Sequence, residues 1–154
     1  MVCGEVQKFR EKHNNDFSNY YDLLEIEKEA EDFLREFYNN EKYGMKKRCG
    51  TPIIEIAKIM GFNIYSGRFK HKNIIATTGV SNVLIEQYGN DKIIIISNMI
   101  TDDEFLYAIA HELSNYIFHC KDDKLGYSNT FYTNAAQTND ELRINRFATI
   151  LLDR

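Results

Sequence analysis

A chain of 154 residues has the length of one ordinary domain, and its 44% hydrophobic content lets it bury a core, which argues against a disordered protein. A net charge of −4 without a strongly basic block disfavours nucleic acid as a direct partner. The longest strongly apolar run, residues 93–96, falls far short of the ~20 residues that span a bilayer, and the charged opening MVCGEVQKFREKHNND lacks the apolar stretch of a secretory signal.

In chain order, residues 1–16 read as a flexible tail ahead of a single domain, within a chain taken as one unit over 1–154. Residues 17–40 follow a helical stripe through Phe17, Tyr20, Leu24, Ala30, Phe33, Leu34 and Phe37, with Asp16 or Ser18 as its cap. After a polar link, Thr51 and Pro52 suit the start of a second helix that Gly61 closes. The period then changes. Residues 62–67, 73–78, 82–88 and 92–97 are short and rich in β-branched or aromatic side chains. Gly67, Gly79 and the turn at 89–91 separate them, which predicts a small, mostly antiparallel sheet with 93–96 as its most buried part. Residues 101–120 return to helix, with Thr101 as N-cap, Glu104 as its capping-box partner, and a core stripe through Phe105, Ile109, Leu113, Tyr116 and Ile117. A polar loop is expected over 121–138, then a last helix capped by Thr138 or Asn139. Helices, a small sheet, then helices again define the α+β class. Cys3, Cys49 and Cys120 are odd in number and form no C-x-x-C pair, which fits a reduced, cytoplasmic setting with Cys120 as a structural thiol.

The chemistry-bearing feature is a His-Glu pair, His111 and Glu112, inside an apolar helical stretch. On a helix, residues i and i+4 share one face, so zinc peptidases place two imidazoles at such positions in the pattern H-E-x-x-H. The glutamate between them lies about 100° round the axis, beside the metal, where it can accept a proton from bound water. Here the second position is Asn115. His119 does not replace it: eight residues along a helix amount to about 12 Å, too far for one ion. His13 and His71 have no motif around them and read as solvated histidines.

The stretch AIAHELSNYIFH, residues 108–119, resembles the AHELGH helix of the ImmA/IrrE family of metallopeptidases. Residues 141–152, ELRINRFATILL, are similar to that family's downstream helix E-x-x-A-N-x-F-A-x-x-L-L, with Glu141, Asn145, Phe147, Ala148, Leu151 and Leu152 in register. Upstream segments follow the same order of elements, so the resemblance runs over about residues 26–152. It implies a zincin-like fold: N-terminal helices, a small sheet, an active-site helix and a C-terminal helix that brings the third ligand. It implies zinc as cofactor, with His111 and Glu141 as ligands, Glu112 as catalytic base and Asn145 in a supporting role behind them. The second ligand falls on Asn115 and the family's glycine on Ser114, so zinc is expected to bind weakly or not at all.

What the resemblance implies about function is a metallopeptidase-like domain with weakened or lost catalysis. It would act on or bind a repressor-type regulatory protein of a mobile element or stress response, a helix-turn-helix repressor being the expected partner. The alternative is a non-catalytic regulator that holds such a partner without cutting it. No membrane contact is expected.

Overall fold

The computed structural model describes residues 2–12, 23–45, 52–133 and 138–153. Among them are six α-helices and a four-stranded mixed sheet, an α+β arrangement. In chain order they are α1 (Gly4–Lys12), α2 (Leu23–Asn39), α3 (Ile53–Ile59), β1 (Asn63–Gly67), β2 (Ile74–Val80), α4 (Leu84–Tyr88), β3 (Lys92–Ser97), α5 (Asp102–His119), β4 (Tyr127–Tyr132) and α6 (Asn139–Asp153). Single 3₁₀ turns lie at Glu41–Tyr43 and Asp123–Leu125.

The strand order is β1-β3-β2-β4, antiparallel at β3–β2 and β2–β4 and parallel at β1–β3. As expected, the isoleucine run of β3 is interior, with Ile94 and Ile96 fully enclosed. Helix α5 lies across the sheet, touching β2, β3 and β4, and α6 packs along it; α2 packs on α6, and α1 on α2 and α5. Edge-to-face aromatic rings, among them Phe9–Phe33, Phe33–Phe37 and Phe118–Phe147, fill the space between these helices.

Several local expectations hold. The hydroxyl of Thr101 accepts from the Glu104 amide, and that of Thr138 accepts from the Glu141 amide. At the end of α3, Gly61 has φ of 97°, and the Gly61 and Phe62 amides bond to the carbonyls of Lys58 and Ala57, a Schellman closure.

Others are corrected. The segment expected as a tail contains α1, which sends Val6 and Phe9 into the core. Within α2, Ile26 is buried while Leu24, assigned to the apolar stripe, is exposed. Phe17, Tyr20 and the caps Asp16, Ser18 and Thr51 lie outside the described residues. Residues 82–88, expected as a strand, hold the short helix α4, ended by Gly89 at φ 72°. Gly79 is not a separator; it sits inside β2, where an added Cβ would lie 3.0 Å from Leu84 Cδ1. That glycine lets α4 approach the sheet face opposite α5. Finally, the expected loop at 121–138 contains β4. Its polar residues hid a period-two pattern in which Tyr127, Asn129 and Phe131 share one face.

Candidate active site

The middle of α5 is enclosed on every side from Ala108 to Phe118, which makes its polar residues unusual. His111, Glu112, Ser114 and Asn115 are all buried. A buried polar group without partners costs free energy, so the partners define the site. The Ser114 hydroxyl donates back to the Ala110 carbonyl at 2.7 Å, which satisfies it within the helix.

Glu112 is held from the sheet. Thr78 of β2 and Asn129 of β4 are register partners, and both reach the same carboxylate. The Asn129 amide donates to Oε1 at 3.0 Å, and the Thr78 hydroxyl donates to Oε2. Two positions along β4 from Asn129, the Phe131 ring stacks on the His111 imidazole, with centroids 3.8 Å apart and planes 13° from parallel. The sheet therefore fixes both members of the His-Glu pair. His111 Nδ1 lies 3.7 Å from Glu112 Oε1.

Helix α6 brings Glu141 to the other side of the ring, with Oε2 at 3.5 Å from His111 Nε2. This nitrogen is buried and makes no hydrogen bond among the described residues. Asn145, one turn further along α6, accepts at 3.2 Å from the hydroxyl of Tyr107, which lies one turn before His111 on α5. Burial, and then the charge of Glu141, push the Tyr107 phenol up from its ordinary value. The structure thus brings His111, Glu112, Asn115 and Glu141 together, and it sets Asn145 beside them through Tyr107.

Asn115 points to the opposite edge of the imidazole. Its Nδ2 lies 3.3 Å from His111 Nδ1 and 3.3 Å from the His111 carbonyl oxygen. An amide N–H can only donate, so the first contact is a hydrogen bond when Nδ1 is the unprotonated ring nitrogen.

The fit to zinc is partial. Two atoms bound at about 2.1 Å with tetrahedral angles stand about 3.4 Å apart. The observed 3.5 Å between His111 Nε2 and Glu141 Oε2 matches that spacing, and Nε2 is an orphaned buried atom. The third position matches less well, because the Asn115 amide nitrogen lies 3.3 Å from Nδ1, on the other edge of the ring from Nε2 and Glu141. Among the described residues no group of three His, Cys, Asp or Glu is arranged to hold an ion.

A second buried polar cluster lies beyond the site and had no sequence signal. Asp123 accepts from the Tyr116 hydroxyl at 2.8 Å and pairs with Lys92 Nζ and Arg10 Nη1, each at 3.3 Å. Lys92 is only 2% exposed at the head of the isoleucine strand. Burial would raise the Asp123 carboxyl; the Tyr116 hydrogen bond and the Lys92 and Arg10 charges more than offset it and hold it below its ordinary value. Cys120 is buried beside Asp123, and burial followed by that carboxylate pushes its thiol up to about 11, as suits an inert structural cysteine. His119 is half exposed and meets Asp140 at 2.9 Å. His71 is exposed, and His13 and Cys49 lie outside the described residues.

Fold and site together define an α+β protein with a buried His-Glu pair on a sheet-backed helix. Comparison with protein-family models, with curated proteins and with solved structures finds no match. Among the described residues no helix is long and apolar enough to cross a membrane.

Proposed function

We propose that this chain is a zincin-like domain of the ImmA/IrrE type whose peptidase site is weakened or lost, and that it binds or acts on a repressor-type regulatory protein. The observation that carries the reading is the turn of Asn115 onto His111 Nδ1 at 3.3 Å, while Nε2 faces Glu141 at 3.5 Å. Two of the three expected ligand atoms are spaced for one ion, and the third is diverted. A zinc ion held by His111 and Glu141 would supply Lewis acidity. Glu112 would accept a proton from water, although Thr78 and Asn129 already donate to both of its oxygens and its residue is fully enclosed. The partner would lie along β4, the outer strand beside the site, since an open strand edge offers main-chain hydrogen bonds to an extended peptide.

The same Asn115 contact favours a second reading, in which the β4 edge holds its partner uncut. Metal analysis of freshly purified protein separates intact from degraded sites. Zinc should be substoichiometric in the natural chain and rise sharply in Asn115→His; full occupancy in the natural chain would sink the weakened-site reading. Cleavage is then tested directly: a repressor partner recovered intact supports the regulator, whereas cleavage that disappears in Glu112→Gln supports the enzyme.

A further inference from the structure

Strands β1 and β2 flank β3, so the loop joining them passes over the C-terminal end of β3. Residues 68–72 of that loop carry Arg68, Lys70, His71 and Lys72 and no acid, in a chain whose net charge is −4. Under it lies a cavity of about 660 Å³, within the size range of ligand sites, completed by Ser97 and by the apolar side chains of Phe69, Ile74 and Met99. Met99 is 74% exposed, a large apolar side chain left open to water. Arg68, Lys70 and Lys72 are in no ion pair among the described residues.

The position is as informative as the composition. Ile74 pairs with Tyr132 at the end of β4, and the Asn73 carbonyl accepts from the Thr133 amide at 2.8 Å. Ala76, two residues on and about 7 Å along β2, is the register partner of Phe131, the ring stacked on His111. The cavity therefore opens where β4 ends, beside the candidate active site and distinct from it.

We propose that this cavity docks an acidic segment of a partner protein. Its carboxylates would pair with Arg68, Lys70 and Lys72, and an interleaved apolar side chain would cover Phe69, Ile74 and Met99. The apolar lining is what favours a peptide over a nucleic acid, whose binding rests on phosphates repeated along an extended basic surface. The inference goes beyond the peptidase-like reading and holds whether or not the neighbouring site cuts.

The test uses the full chain and a fluorescein-labelled hexapeptide of alternating glutamate and leucine, read by fluorescence anisotropy. Controls are the same peptide with lysine for glutamate and a labelled oligothymidylate. The glutamate peptide should bind, and its affinity should fall as salt shortens the screening length from about 8 Å toward 3 Å. Arg68→Glu/Lys70→Glu/Lys72→Glu should weaken it by roughly tenfold or more, since like charges across a contact repel. Met99→Ser, a single surface change, should weaken it without altering the salt dependence. Four outcomes overturn the proposal: no binding of the glutamate peptide, equal binding of the lysine peptide, binding unaffected by either variant, or tighter binding of the oligothymidylate.

Discussion

Asn115 meets His111 through its side-chain amide. A histidine at that position would present a second imidazole; the asparagine instead sets its amide nitrogen 3.3 Å from Nδ1 and donates at 3.3 Å to the His111 carbonyl of the helix backbone. Glu112 is equally dependent on neighbours, because a buried carboxylate needs donors and receives them from Thr78 and Asn129. Asn129→Ala removes one donor and leaves Oε1 buried. We expect a loss of about 1–3 kcal/mol in urea unfolding, the usual cost of orphaning a buried polar group. An unchanged midpoint would show that Glu112 does not depend on Asn129.

Elements are tied together by Asp123. It joins β3 through Lys92, α1 through Arg10 and α5 through Tyr116, and Arg10 also lies over the Tyr116 ring at 4.9 Å. Lys92→Met removes one of the two cations from that buried carboxylate while Arg10 and Tyr116 stay, so it is expected to cost about 1–3 kcal/mol, as measured by chemical denaturation. Asp123→Leu, which takes the shared carboxylate from both buried Lys92 and buried Arg10, should cost more than Lys92→Met; an equal or smaller loss would refute the coupling. The same carboxylate predicts an acid limb. Its folded-state pKa is depressed, so the stability it contributes is present above the ordinary aspartate value of about 3.9 and is lost as pH falls below it through the folded value. Glu5, which accepts from Asn40 and Tyr43, has a carboxyl shifted in the same direction. Asp123→Asn should therefore flatten, without abolishing, the decline of unfolding free energy between about pH 4 and pH 2.

At the scale of the whole molecule, α5 is the hub: the sheet backs it on one side and α6, α3 and α1 touch it elsewhere. Stability should follow that arrangement. The amides of Ile94 and Ile96, in an interior strand with fully enclosed side chains, should exchange with deuterium most slowly. Those of α1 should exchange earlier, since a nine-residue helix has little stability of its own and depends on docking Val6 and Phe9. Protection in α1 equal to that of β3 would mean that the two open as one unit.

What the chain determines by itself is local. The caps at Thr101 and Thr138, the closure at Gly61, the isoleucine strand and the helical setting of His111 and Glu112 all rest on interactions within a few residues, so their patterns could be read in order. Tertiary structure decided the rest. The strand at 127–132 looks like a polar loop until β2 pairs with it, and residues 82–88 look like a strand until Gly79 lets Leu84 pack as part of a helix. The parallel pairing of β1 with β3, the Thr78 and Asn129 donors to Glu112, the Phe131 ring on His111 and the Lys92–Asp123 pair all join residues far apart in the chain. No local period carries such partners, because a buried polar side chain is satisfied by whichever donor the packing delivers. For that reason the His-Glu pair was legible in the sequence, whereas the direction in which Asn115 turns was not.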